Sequence, residues 1–413
     1  MDSFSPGDIS VTKFTVTSSR GTLDLSQSFT SASIYESIFT PGIVADITIN
    51  DTKDVLGALK IFGDEVVEIV MSTPGGVTAN YKLGVHSLEG VTSITSSLKS
   101  KTYVLKTVSE EALYAKNNYV QKSFNTQISE IVKKVHTDYL HSKKTIEVED
   151  TKGSQKIIFP QLSPYKAIDL VRRRAISNEN KSSLYVYFET RSGEKQVFKF
   201  VTIEKLFKGS SVKTFQHSDA INNSISTQND NQILCLEIPN QFNSTDRIQI
   251  GGEMAVSRYN MQTQKYETKK YTPSLKDYTS GGSGEMNSGE FTNKYRKAKG
   301  QAAPKQLYIG EDTSARPNTH IPTNSADQQA YMSALMQNSV KLRVPGDLNI
   351  KAGDVITANI PKKTSTTENV SMDPILSGKF LVSRIHHDIG LAGDKPRYTC
   401  VIECIKGNPE SGV

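Results

Sequence analysis

Along the first hundred residues apolar side chains recur at every second position. In residues 43–49, Ile43, Ala45, Ile47 and Ile49 fall on one face and Val44, Asp46 and Thr48 on the other, which is the period of a half-buried strand. Asn50 and Asp51 break it. Gly63-Asp64 introduces a further apolar segment at 65–71, and Thr73-Pro74-Gly75-Gly76 ends that segment with turn chemistry before Tyr81, Leu83 and Val85 alternate again. Several short strands with close turns predict a small β-barrel.

From about Ser109 the period changes. Ile128, Ile131, Val132, Val135 and Tyr139 follow helical spacing and predict a helix with one buried stripe. A second helix is expected from Ser163, an N-cap residue, with Pro164 at its first position and Ala167, Ile168, Val171 and Ala175 on one face. Residues 184–190 and 197–201 are aromatic and β-branched runs, and 191–196 between them reads as the loop of a hairpin. Residues 232–238 supply another strand.

The stretch 260–324 has little apolar periodicity, and its segment 279–284 is rich in Gly and Ser, so it reads as a long irregular loop. Alternation returns in Val340, Leu342 and Val344, then in Ile356, Ala358 and Ile360, with further strands at 380–385 and 398–404. These predict a second small barrel. Gly63-Asp64 and Gly353-Asp354 each introduce an apolar strand within their barrel, a hint of duplicated architecture.

The chain of 413 residues is long enough for two or three cores. No apolar run approaches the roughly 18 residues of a membrane span, and residues 1–10 lack the basic start and apolar centre of a signal peptide, so no membrane anchor and synthesis in cytosol are expected. Cys235, Cys400 and Cys404 form an odd set without metal spacing and read as buried small hydrophobes. The net charge of +6 is modest for this length, and its densest basic cluster, Arg172 to Arg174, falls within a predicted helix, where a solvated or interface-forming face is expected.

Chemistry is sparse. The chain holds no phosphate-binding Gly loop ending in Lys-Ser or Lys-Thr, no Gly-x-Ser-x-Gly elbow and no His-Glu-x-x-His helix. His386 and His387 are adjacent on a strand and point to opposite faces, which disfavours a shared metal ion; one is expected inside the barrel and the other at its surface. Cys400 and Cys404 share a strand face about 13 Å apart, too far for a bridge or a common metal. Glu36, Asp46, Asp51 and Glu65 are the acids a glycoside-cleaving pair would draw on, but they alternate with apolar strand residues or end strands and read as solvent-facing. No catalytic, cofactor-binding or metal residue is assigned.

Three blocks carry a resemblance. The first is Ile34-Tyr35-Glu36-Ser37-Ile38-Phe39, followed by Gly42 to Asp51 and by Ile61-Phe62-Gly63-Asp64-Glu65-Val66. The second is Leu162-Ser163-Pro164-Tyr165-Lys166-Ala167-Ile168 with the hairpin Tyr185-Val186-Tyr187-Phe188-Glu189, Gly193 and Ile203-Glu204-Lys205-Leu206. The third is Leu348-Asn349-Ile350-Lys351-Ala352-Gly353-Asp354, Leu376-Ser377-Gly378-Lys379-Phe380-Leu381-Val382 and Ile385-His386-His387. Together these resemble the baseplate hub proteins of contractile-tailed, T-even-like phages, related in architecture to the hub part of type VI secretion spikes.

The resemblance implies a mainly β fold with α+β character, two small tudor/SH3-like β-barrels flanking a middle α+β domain. The expected divisions are 1–108 for the first barrel, 109–210 for the middle domain, 211–259 for a returning strand segment, 260–330 for the irregular region and 331–413 for the second barrel. It implies a non-enzymatic homotrimer in the tail baseplate of the virion, assembled in the host cytoplasm. Its expected partners are the central cell-puncturing spike, the tail tube or tube-initiator protein, and the tape-measure and baseplate wedge proteins; no cofactor is expected. A spike-associated cell-wall hydrolase and a nucleic-acid-binding protein are the alternative readings.

Overall fold

The computed structural model describes residues 7–52, 54–59, 61–93, 100–179, 182–217, 230–240, 254–260, 264–271, 276–277, 284–285, 303–310, 328, 331–332, 335–336, 339–362, 371–373, 376–392 and 395–406. The N-terminal unit contains β1 (Ser10–Ser18), β2 (Gly21–Asp24), β3 (Phe29–Ser37), β4 (Val44–Asp51), the short helix α1 (Val55–Leu59), β5 (Val66–Ser72), β6 (Thr78–Ser93) and β7 (Lys101–Val108). Their ladder runs β3-β4-β7-β6-β5-β1-β2. It returns toward β3 at one corner, where Leu25 N donates to Phe14 O at 2.7 Å and a 3-10 turn, Ser26–Ser28, leads into β3. Alternation sets the inner face: Ala45, Ile47 and Ile49 of β4 and Val67, Ile69 and Met71 of β5 are fully buried.

The middle part holds α2 (Glu110–Asn117), β8 (Ser123–Gln127), α3 (Ile128–Asp138), β9 (Ile146–Val148), β10 (Ser154–Ile158), α4 (Pro164–Arg172), β11 (Tyr185–Ser192), β12 (Lys195–Thr202) and α5 (Ile203–Phe207). Both expected helices form, although α4 stops at Arg172 and Ala175 lies beyond it. The hairpin differs from its sequence reading. Its turn is the two residues Gly193-Glu194, with Gly193 at φ 61°, and Arg191 pairs with Gln196 in the ladder. Residues 185–191 are all buried because the hairpin separates two cores. Tyr185, Tyr187, Phe198 and Phe200 pack with Ile131, Val135 and Ile168, while Val186, Phe188 and Val201 pack into the large core shared with the β units.

The C-terminal unit is assembled from β13 (Ser211–Gln216), β14 (Cys235–Asn240), β20 (Ser339–Pro345), β21 (Val355–Asn359), β22 (Gly378–Ala392) and β23 (Lys395–Ile405). Between β14 and β20 come β15 (Met254–Asn260), β16 (Lys265–Tyr271), β17 (Lys276–Asp277), β18 (Gly284–Glu285) and β19 (Ala303–Gly310). The strands β16 and β19 flank β15 in a three-stranded sheet, so part of the stretch read as an irregular loop is regular. Its strand β16, Lys265–Tyr271, carries no aliphatic residue and so offers no aliphatic period to read. Most of the Gly-Ser segment 279–284 lies outside the described residues.

The two units have the same strand order. The ladder β3-β4-β7-β6-β5-β1 in the first corresponds to β14-β20-β23-β22-β21-β13 in the second, each in the same chain order. In the second the ring is completed where Ile233 N donates to Gln216 O and Leu234 N to Arg343 O. A bulge sits at matching places, between Val85 and Ser87 in β6 and between Val382 and Arg384 in β22. Gly63 and Gly353, the glycines of the two Gly-Asp turns, have φ of 104° and 91°, a region that disfavours any other residue. One pairing differs: β1 is antiparallel to β5, whereas β13 is parallel to β21. The units are fused by an antiparallel seam in which Arg384 to Gly390 of β22 pair with Ser37 to Ser31 of β3.

Candidate functional site

A buried polar junction lies where the two units and the hairpin meet. Strand β3 directs Ala32, Ile34 and Glu36 inward together, and Ile38 just beyond it is buried too, so period two carries one carboxylate into an apolar face. The carboxylate Oε1 of Glu36 accepts from the Tyr81 hydroxyl of β6 at 2.9 Å and from Arg191 Nε of β11 at 3.4 Å. Its Oε2 accepts from the Ala352 backbone N–H at 3.3 Å and from the Thr190 hydroxyl at 3.4 Å. Arg191 also donates to Leu348 O at 2.7 Å, and its guanidinium carbon sits 5.3 Å from the Tyr81 ring centroid. Hence one acid and one guanidinium touch the N-terminal unit, the middle hairpin and the C-terminal unit at once.

His387 of β22 completes the junction from the far side. Its Nε2 stands 3.7 Å from Glu36 Oε1, an ion-pair distance longer than a hydrogen bond, and its Nδ1 is 2.6 Å from the Tyr398 hydroxyl. Cys400 Sγ lies 3.3 Å from the same hydroxyl. Burial opposes ionisation of Glu36, but His387 and Arg191 outweigh it and hold the carboxyl at about 2. Burial likewise opposes charge on His387, and Cys400 and Glu36 outweigh it, raising the imidazole to about 9. The three charged groups are each at most 1% exposed, so no polymer substrate reaches them in this conformation.

A second buried cluster ties the hairpin to α2. Lys144 Nζ donates to Glu189 at 2.6 Å and Glu111 at 2.8 Å, Gln196 donates to Glu189 at 2.9 Å, and the Ser109 hydroxyl donates to Glu189. Burial pushes the Glu189 carboxyl up, with Lys144 pulling against it. Two clefts flank the loop that joins β3 to β4. One, of about 310 Å³, lies between Phe39, Tyr165, Arg172 and Met332; the other, of about 610 Å³, lies between Val44, Tyr119 and Lys166.

Three acids read as solvent-facing are buried instead. Besides Glu36, Asp51 accepts from Val55 N at 2.8 Å at the start of α1 and from the Tyr103 hydroxyl at 3.3 Å, and Glu65 accepts from Phe62 N and Gly63 N, each at 2.8 Å. They anchor turns. Asp46 alone lies on the outer face, paired with Lys106 at 2.7 Å. The histidines divide as adjacency requires: His387 is fully buried, and His386 stacks on Tyr35 with ring centroids 4.4 Å apart. Cys400 and Cys404 are buried, but Cys235 is exposed on the edge strand β14, a correction to its reading as a core residue. Of the arginine triplet, Arg172 and Arg173 both bind Asp169, at 2.6 and 2.7 Å. Among the described residues no group of three or more His, Cys, Asp or Glu could hold a metal ion, and no helix is long and apolar enough to cross a membrane.

Arg191 is the residue that sequence reasoning missed, because it was placed in the hairpin loop. The available signal was Ser192-Gly193-Glu194-Lys195, which supports a two-residue turn and extends both strands through Arg191 and Gln196.

No protein-family model matches the chain, and no curated protein matches it in sequence. Solved structures do share its fold. A tail protein from Neisseria meningitidis MC58 superimposes with a TM-score of 0.59 at 10% identity, over 95% of this chain and 96% of that one. The 43 kDa tail protein of prophage MuSo2 from Shewanella oneidensis gives 0.54 at 8% identity, over 97% and 100%. The fold is thus mainly β with α+β character and is that of these tail proteins, as the resemblance implied.

Proposed function

We propose that the chain is a structural subunit of a contractile phage tail, the baseplate hub that joins a trimeric spike to a sixfold tail tube. The observation that carries this reading is the repetition of one six-strand order in two units, locked together by the β22–β3 seam and the Glu36–Arg191 junction. Three copies of a chain with two such units offer six similar positions, which removes the mismatch between a threefold spike and a sixfold tube. The likeness in fold to two tail proteins over nearly the whole chain supports the setting.

The work of such a hub is mechanical. A continuous ladder across both units gives a stiff ring segment, and interfaces on the order of 1,000 Å² or more per contact would carry sheath contraction into the spike without a chemical step. The middle part, with its clefts beside α4, is the side on which spike, tape-measure or wedge proteins would dock, and the two β units face the tube. The place of action is the tail baseplate of the virion, after assembly in the host cytoplasm.

The test is mass in solution, measured on the purified chain with and without the product of the neighbouring spike gene. Three copies, alone or with spike, are expected; a monomer under both conditions overturns the reading.

A further inference from the structure

The seam inside one chain is a template for the contact between chains. Strand β22 is 15 residues long: Gly378 to Leu381 pair with β21, and after the bulge Arg384 to Gly390 pair with β3. Its counterpart β6, 16 residues long, behaves the same way as far as it can. Thr78 to Gly84 pair with β5, a bulge follows, and Ser87 onward pairs with β7 on one side. On the other side, where β22 receives β3, no described strand lies beside β6. Strand β14, the counterpart of β3, pairs with β20 on one side and has no described strand on the other. Each unit lacks the complement that the other displays.

Both edges are open to solvent in the single chain. Val91 on β6 is 51% exposed, Leu234 leading into β14 is 39% exposed, and Cys235 and Glu237 are exposed as well. Unpaired N–H and C=O groups along such edges are ready to join a ladder. The ends of one chain cannot satisfy each other, since β14 and β6 belong to different units separated along the sheet by β20, β23, β22, β3, β4 and β7.

We infer that β14 of one copy pairs antiparallel with the outer half of β6, residues 87–93, of the next copy, repeating the β3–β22 seam. The contact is heterologous, so it propagates head to tail and closes only at a fixed copy number. Closure at three rests on the hub reading; the choice of edges rests on the strand correspondence alone. In the closed ring every unit-to-unit boundary is the same seam, three times within chains and three times between them.

The correspondence also fixes the register. Within the chain Gly390 faces Ser31, and Ser31 occupies on β4 the ladder place that Cys235 occupies on β20, opposite Thr48 and Arg343 respectively. Ser87 is the equivalent of Arg384 after the first bulge, and a second bulge between Glu89 and Thr92 sets Thr92 opposite Thr102, where Asp388 stands opposite Thr399, so Thr92 takes the place of Asp388. Across the seam Asp388 faces Ser33, and Glu237 takes the place of Ser33, since it stands two residues past Cys235 as Ser33 stands two past Ser31. Thr92 of one copy therefore faces Glu237 of its neighbour.

Cysteine pairing tests this directly once the exposed Cys235 is replaced, because Cys400 and Cys404 are buried. The full-length Thr92→Cys, Glu237→Cys, Cys235→Ser variant is oxidised mildly and run on a non-reducing gel, beside a Thr92→Cys, Cys235→Ser control that lacks the partner thiol. Native mass is measured on both. Disulfide-linked dimers and trimers that need both introduced cysteines support the seam. Trimers by mass with no linkage overturn the edge assignment and leave the hub reading standing. Monomers by mass overturn both. Linkage only to a spike protein overturns the seam in favour of a different occupant of these edges.

Discussion

Arg191 Nε lies 3.4 Å from Glu36 Oε1, although 155 positions separate the two residues in sequence, and both are sealed from solvent. A charge pair of this kind gains little net stability over an apolar filling, because desolvation offsets the attraction, but it permits few alternative arrangements. Its partners come from β3, β6, β11, β22 and the segment before β21. The junction fixes the angle between the two β units, which is the quantity a ring of repeated units depends on.

Removing one side of the pair is therefore expected to be far worse than removing both. Arg191→Met leaves Glu36 buried with its charge poorly balanced and is expected to destabilise the protein by about 3–5 kcal/mol. Adding Glu36→Gln to that variant is expected to recover part of the loss. Denaturant midpoints of the two singles and the double measure this; additive losses would mean the pair is not coupled.

The junction should also respond to pH in a defined window. Glu36 is lowered from 4.5 to about 2, so its contribution is present above 4.5 and is lost as pH falls through about 2. His387 is raised from 6.5 to about 9, so its contribution is present below 6.5 and is lost as pH rises through about 9. Thermal midpoints of the wild type, with His387→Asn as reference, are expected to diverge below pH 6.5 and converge above 9. The shift corresponds to about 3 kcal/mol. Parallel curves would place the proton elsewhere.

Glu204 in α5 behaves in the opposite sense from Glu36. Burial raises it from 4.5 to about 7, with a Ser182 hydrogen bond pulling against that, and its Oε2 has no hydrogen-bond partner. The protonated form suits the fold: stability is present below 4.5 and lost as pH rises through about 7. Glu204→Gln is expected to raise the thermal midpoint at pH 8, by an amount equivalent to about 2–3 kcal/mol, and to leave it nearly unchanged at pH 4. A destabilised variant at pH 8 would contradict this.

The two Gly-Asp turns give an internal comparison. A Cβ on Gly353 would stand 3.0 Å from Phe188 Cζ in the hairpin, whereas on Gly63 it would meet only Val85 O, at 3.8 Å. Both positions strain any other residue through positive φ, on the order of 1–2 kcal/mol. Gly353→Ala is expected to lose clearly more stability than Gly63→Ala in the same denaturant titration; equal losses would show that the turn–hairpin contact relaxes freely.

Much of the fold was legible because local period and burial agree. The strands around Ile43 to Ile49 and Val340 to Val344, the stripe of α3 and the opposed faces of His386 and His387 all follow from alternation or helical spacing. The site was harder, yet one signal was present. Glu36 shares parity with Ile34 and Ile38, Asp51 with Ile47 and Ile49, and Glu65 with Val67 and Ile69, so period two pointed all three inward; only Asp46 has the outward parity. Strand position, not acidity, decides which of these carboxylates is buried. Arg191 was hidden differently, since a hairpin buried on both faces shows no alternation at all. The β22–β3 seam had no local signal, because pairing between segments some 350 residues apart leaves no period in either.

The central claim is that two equivalent units per chain, in three chains, form a ring of six. End-on electron micrographs of the assembled protein, averaged without imposed symmetry, test it most directly through their rotational power spectrum. The expected result is a ring dominated by a sixfold harmonic at the radius of the β units, with a threefold component from the middle parts. A ring with no sixfold harmonic, or no closed ring at all, would contradict it.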